Sequence, residues 1–196
     1  MLMPLILVIN IHPAVKITPI ILGLSYCMYI SIKHKISTVK SLFYIPDKQQ
    51  IKNLVIKALM MMLGSTLLMY YFNHELLFIV VKKNWGLWII VSLFYSIFSV
   101  YPQEFLYRTF FFHRYQSIFK RPYVLITVNA AFFSFAHIAF QNTLVTALTL
   151  IGGFLFATTY YKSKSLMLTA IEHAIYGSWL FTLGMGEMLA FPMPQS

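Results

Sequence analysis

The chain is poor in the features that hold small secreted or soluble domains together. It has a single cysteine, Cys27, in 196 residues, which excludes an intramolecular disulfide and a thiolate metal cluster. Only 10% of its residues are charged, and five are acidic, against about a quarter charged in soluble domains. Repeats, low-complexity tracts and linker-like stretches are absent. No His-Glu-x-x-His pair seats a metal on one helix, and no basic-aromatic nucleic-acid motif is present. The first ten residues lack the basic leader and small-residue cleavage site of a secretory signal, so nothing is expected to be removed.

What the chain does have is apolar surface. Hydrophobic residues make up 59% of it and the mean hydropathy is +0.73, the composition of an integral membrane protein. The expected fold is all-α, a polytopic transmembrane bundle of about six to seven helices in a single membrane domain over residues 1–196. A net charge of +10 can mark a nucleic-acid partner in a soluble chain. In a polytopic membrane protein it marks the cytoplasmic bias of Lys and Arg, and no nucleic acid is expected here.

The spans follow in order. Met1 to Ile11 is short and is interrupted by His12-Pro13, and Ile17 to Ile32 is the first clear span. Ser31 to Lys57 is a basic connection, with Ile51 to Lys57 placed on the membrane surface. Leu54 to Phe72 is the second span, Asn73 to Lys83 a polar turn, and Trp85 and Trp88 anchor a third span ending at Tyr101. Thr109 to Tyr115 and Lys120-Arg121-Pro122 suit the cytoplasmic boundary. Tyr123 to Phe140, Leu144 to Tyr161 and Leu166 to Leu183 complete the set. Twelve of the fifteen Lys and Arg residues fall after spans one, three and five. Residues 33–57 and 109–122 are therefore expected in the cytoplasm and Gly184 to Ser196 on the opposite side, with a bacterial cytoplasmic membrane as the expected home.

Against this background three small ionisable clusters stand out. Gln103-Glu104-Phe105-Leu106-Tyr107-Arg108 places a carboxylate and a guanidinium four residues apart on one helical face, just after Pro102, which breaks or kinks the backbone. A charge at membrane depth costs several kcal/mol, on the order of 3 on insertion scales, and points to function. The same residues also suit an exposed pair at the headgroups. Phe133-Ser134-Phe135-Ala136-His137 and Glu172-His173-Ala174-Ile175-Tyr176-Gly177 lie inside later spans. A lone histidine on an apolar helix often only packs and hydrogen-bonds. One polar cavity shared by Glu104, His137 and His173 costs less than three separate burials.

The order and spacing of these clusters resemble the CPBP family of CAAX-protease and bacteriocin-processing intramembrane proteases, with Glu-Glu-x-x-x-Arg, Phe-x-x-x-His and His-x-x-x-Asn motifs. The resemblance covers about residues 95–183, including Gly152-Gly153 and the turn Tyr160 to Leu166. It implies an intramembrane endopeptidase acting near the cytoplasmic side on a peptide or lipid-modified CAAX-type protein, prenylated or otherwise membrane-anchored. Glu104, His137 and His173 are its catalytic residues by this likeness, supported by Gln103, Arg108, Phe133 and Gly177. Gln103 stands where the family's first glutamate activates water, and Gly177 where an asparagine serves the oxyanion. An uncharged amide takes no proton from water at neutral pH, and glycine offers no side-chain donor. The alternative is therefore an inactive relative that serves as a membrane scaffold or substrate-binding protein.

Peptide hydrolysis needs a water, a base for it, oxyanion donors and an acid for the leaving amine. Glu104 and His137 can share the base role, and His173 is the oxyanion donor by resemblance. No cofactor is expected. A zinc ion held by Glu104, His137 and His173 is the alternative, since two histidines and a carboxylate leave an open position for water. A proton-linked transporter also fits a buried Glu-His pair but not the order of the motifs. One geometric difficulty remains, because His137 lies about fifteen residues into its span, on the order of 20 Å deep, whereas Glu104 is near the face. Either the third helix dips back at Pro102 or Thr109 to Tyr115 is itself embedded, and the second is preferred.

Overall fold

A computed structural model describes residues 46–186, together with helical residues at 22, 23, 25–27, 29–31 and 33. Much of the expected first span, residues 34–45 of the basic connection and most of Gly184 to Ser196 lie outside the described residues. Every regular element among the described residues is helical, as the all-α expectation requires. Four helical stretches are long and apolar enough to cross a membrane: Lys48–Leu76, Trp85–Tyr115, Pro122–Phe140 and Thr143–Ser163. By contact the chain divides into two compact units, one of Met1–Tyr44 and Pro102–Thr169, the other of Ile45–Tyr101 and Ala170–Ser196.

Helix α1, Lys48–Asn73, starts at a capping box in which Asp47 accepts from the Gln50 N–H at 2.7 Å and Gln50 accepts from the Asp47 N–H at 3.1 Å. The helix thus begins six residues before the expected second span. Ile51 to Lys57 is part of it rather than a separate surface segment, because the cap satisfies the first-turn donors upstream. A 3₁₀ turn, His74–Leu76, and a short α2, Ile79–Lys83, follow.

The largest departure from expectation is α3, Trp85–Tyr115. It does not stop at Tyr101 but runs through Pro102, with π-helical turns at Tyr95–Val100 and Phe105–Phe110 on either side. A proline inside a helix removes one backbone donor and crowds the carbonyl four residues back, and a wider turn accommodates both. Its 31 residues are more than the roughly 20 that a hydrocarbon core requires. Thr109 to Tyr115 is therefore the end of this span and no separate boundary helix, with Phe111 and Phe112 buried against Leu125, Ala157 and Tyr160.

Helix α4, Pro122–Ala136, carries proline at its first turn, where a missing N–H costs nothing, and ends in a 3₁₀ turn, His137–Phe140. Helix α5, Thr143–Ser163, is capped by Asn142, whose Oδ1 accepts from the N–H groups of Leu144 and Val145 at 2.9 and 3.1 Å. The two helices pack closely. A Cβ on Gly153 would sit 3.0 Å from the Ala130 Cα, and Ser134 donates to the Thr146 carbonyl at 2.8 Å, so small and hydroxylated residues hold the contact.

Helix α6, Leu166–Thr182, is one residue shorter than the expected last span. In the second unit it is tied to α1 through Trp179, whose indole donates to the Met62 carbonyl at 3.3 Å. The Trp88 indole of α3 donates to Thr182 at 2.8 Å. These are tryptophans spent on helix pairing rather than on an interface belt alone.

Candidate active site

In the first unit the two expected charges meet. Glu104 Oε2 accepts from Arg108 Nε at 3.0 Å, and neither side chain has any exposed surface. The reading of Glu104 and Arg108 as an exposed headgroup pair is thereby excluded. Arg108 Nη1 donates to Asn129 Oδ1, and Asn129 Nδ2 donates to the Tyr107 carbonyl at 2.5 Å. The guanidinium lies 4.9 Å from the centroid of Phe133 and 5.8 Å from that of Phe156. A buried guanidinium is tolerable only when its charge and its donors are matched. Here a carboxylate, an amide and two ring faces share that task.

Residues 129, 133 and 137 recur every four positions and share a face of α4 and its 3₁₀ extension. Phe133 packs edge-on against Tyr107 at 5.3 Å and Phe156 at 5.9 Å. Its ring is also 4.7 Å from that of His137, so one side chain touches both Arg108 and His137. The partly exposed His137 has Nδ1 at 2.8 Å from the Phe133 carbonyl. A carbonyl can only accept, which assigns the proton to Nδ1 and the lone pair of the neutral ring to Nε2. Nε2 is then the nitrogen whose lone pair suits base chemistry.

Asn129 escaped sequence reasoning. It is wholly buried and sits one four-residue step before Phe133. A polar residue continuing the Phe133–His137 stripe inside an apolar span was the signal that could have found it.

The third motif belongs to the second unit. His173 is buried and meets the ring of Tyr95 edge-on at 6.0 Å. Its neighbour Glu172, about 100° away around the helix, pairs instead with Lys57 of α1 at 2.5 Å and accepts from the Tyr176 hydroxyl at 2.9 Å. Lys57, expected to end the cytoplasmic connection, is therefore a helix residue neutralising a buried carboxylate. Gly177 has no room for a side chain, because a Cβ there would collide with the Tyr95 phenol.

Glu104, Arg108, Phe133 and His137 thus share the first unit, with half-buried Gln103 beside them in sequence. His173 and Gly177 share the second with Tyr95. Within either unit, among the described residues, no three His, Cys, Asp or Glu side chains gather as a metal would require.

A description of one protein family, "Type II CAAX prenyl endopeptidase Rce1-like", matches residues 84–179. That stretch contains all three motifs, from Gln103 to Gly177, together with Tyr95 and Asn129. No curated protein and no solved structure matches the chain. The family and the four apolar helices make this an integral membrane protein of the endopeptidase class, with a protein or peptide as its substrate. Through residues 84–179 the chain belongs to the Rce1-like family of type II CAAX prenyl endopeptidases, within the CPBP intramembrane proteases.

Proposed function

We propose that this protein hydrolyses a peptide bond in a prenylated or otherwise membrane-anchored CAAX-type substrate near the cytoplasmic side of the membrane. The observation that supports the reading most is the fully buried Glu104–Arg108 pair, closed by Asn129 and covered by Phe133. Apolar residues of similar volume often leave a core equally or more stable than a buried ion pair does, so chemistry is the better account of its presence. Arg108 engages one oxygen of Glu104 and fixes the carboxylate, which has about four lone-pair sites in all.

In the proposed reaction a water activated by Glu104 and by Nε2 of His137 attacks the scissile carbonyl. Its proton passes to the Glu104 carboxylate while Nε2 of His137 accepts a hydrogen bond from the same water, the carbonyl becomes a tetrahedral oxyanion, and His173 donates to it. Collapse breaks the C–N bond as the same proton moves to the leaving amine. Gln103 can orient water or substrate but cannot take the proton. The scheme needs no metal. The zinc version, with Glu104, His137 and His173 as ligands, makes a separable prediction, because only a metal enzyme loses activity to a chelator and regains it with added zinc.

The scaffold reading is favoured by one specific observation, the replacement of a carboxylate by Gln103. Purified protein in lipid vesicles, given farnesylated and unmodified CAAX peptides with and without chelator, separates the readings by mass spectrometry of the products. Chelator-insensitive cleavage of the lipidated peptide is expected. If the wild type cuts neither peptide while Gln103→Glu does, the protein is a relative that has lost catalysis.

A further inference from the structure

Gly177 stands at a helix position whose side-chain space is already occupied. A Cβ there would meet the Tyr95 hydroxyl first and two carbons of the same ring next. That phenol is also the ring set edge-on to His173, which lies one helical turn before Gly177 on α6. Tyr95 opens the π-helical turn Tyr95–Val100, an irregularity frequent at functional sites. Glycine inside a helix costs about 1 kcal/mol against alanine. Here its effect is to let the Tyr95 ring from α3 lie edge-on to a buried histidine with its hydroxyl over Gly177.

We infer that Tyr95 is a catalytic residue: its hydroxyl, over Gly177 and one helical turn from His173, donates the hydrogen bond to the developing oxyanion that no side chain at position 177 can give. The inference rests on the endopeptidase reading above. The phenol makes and breaks no covalent bond and gives up no proton. A hydrogen bond to an oxyanion is about twice as strong as one to a neutral carbonyl. The contact therefore favours the transition state over the bound substrate and appears in kcat rather than in KM. A tyrosine that only filled the space over Gly177 would act through its ring and not through its hydroxyl.

Tyr95→Phe keeps the ring and removes the donor, so it isolates the claim. In vesicles it should lower kcat about 100-fold, the usual effect of losing one oxyanion donor, with KM unchanged within about twofold. A phosphinate peptide that mimics the tetrahedral intermediate should lose affinity by a similar factor. Tyr95→Ala vacates the space, and adding Gly177→Asn to it should restore at least about tenfold of the lost turnover by supplying an amide donor. Gly177→Asn with Tyr95 still in place should instead be damaging, because the two side chains collide. Equal kcat and equal phosphinate affinity in wild type and Tyr95→Phe overturn the donor role, as does a raised KM with parallel loss of thermal stability. If the wild type cleaves nothing, the endopeptidase reading fails and phosphinate binding alone decides. Affinity that still drops in Tyr95→Phe then keeps the donor site, whereas equal affinity, or none in either protein, rejects it.

Discussion

Breaking the Glu104–Arg108 pair from one side should cost far more than removing it altogether. Both side chains are fully buried, the pair is direct at 3.0 Å, and Arg108 has Asn129 as a second partner. Glu104→Gln leaves a buried guanidinium without its counter-charge, and Arg108→Met leaves a buried carboxylate. Each should destabilise the protein by about 3–5 kcal/mol. The double variant Glu104→Gln/Arg108→Met removes both charges and keeps the volume. It should recover to within about 2 kcal/mol of wild type, the remainder being the cost of leaving the Asn129 Oδ1 without its donor. The coupling energy is then several kcal/mol, on the order of 3 or more, well outside the additive range. Unfolding in detergent, followed by helical circular dichroism, measures all four corners of the cycle. Turnover should be abolished in Glu104→Gln and in the stable double variant, because both lack the carboxylate that the proposed mechanism uses. Single variants that each cost less than about 1 kcal/mol, or a double variant equal to their sum, would mean that the pair is screened and not buried.

Three other outcomes follow from the geometry. Gly153→Val should separate α4 from α5, because even a Cβ at Gly153 meets the Ala130 backbone. It should cost about 1–3 kcal/mol and reduce turnover by disturbing the Asn129–Phe133 face, as unfolding and kinetics together would show. Asn142→Ala removes an acceptor for two N–H groups at the start of α5 and should cost about 1 kcal/mol with little change in kcat. For topology, single cysteines at positions 45 and 194 of a Cys27→Ser background should label oppositely. An impermeant maleimide applied outside should mark 194 and spare 45, and the reverse pattern would overturn the assignment from Lys and Arg.

The charges were the most legible part of this chain, and for a physical reason. A carboxylate or guanidinium in an apolar run is conspicuous, and the four-residue spacing of Glu104 and Arg108 anticipates the contact that forms. The long apolar runs likewise marked α4 and α5 to within a few residues, and α1 except for its first six residues. Pro102 misled in the opposite direction: taken as the end of a span, it lies inside α3 because π turns on both sides absorb the missing donor. That compensation depends on neighbouring turns and leaves no composition signal. Lys57 read as one more cytoplasmic lysine because its partner, Glu172, is 115 positions away. Tyr95 was passed over for the same reason, since it acquires meaning only from the distant Gly177. Asn129 was passed over although its place four residues before Phe133 set it on the motif's own stripe.

The proposed mechanism gives the proton chemistry to Glu104 and none of it to its neighbour Gln103. The most direct measurement is the single-turnover rate of cleavage of a farnesylated CAAX peptide by the wild type, Glu104→Gln and Gln103→Ala in vesicles, each first shown to be folded. No detectable cleavage is expected from Glu104→Gln, and retained, slower cleavage from Gln103→Ala. Undiminished cleavage by Glu104→Gln would contradict that mechanism.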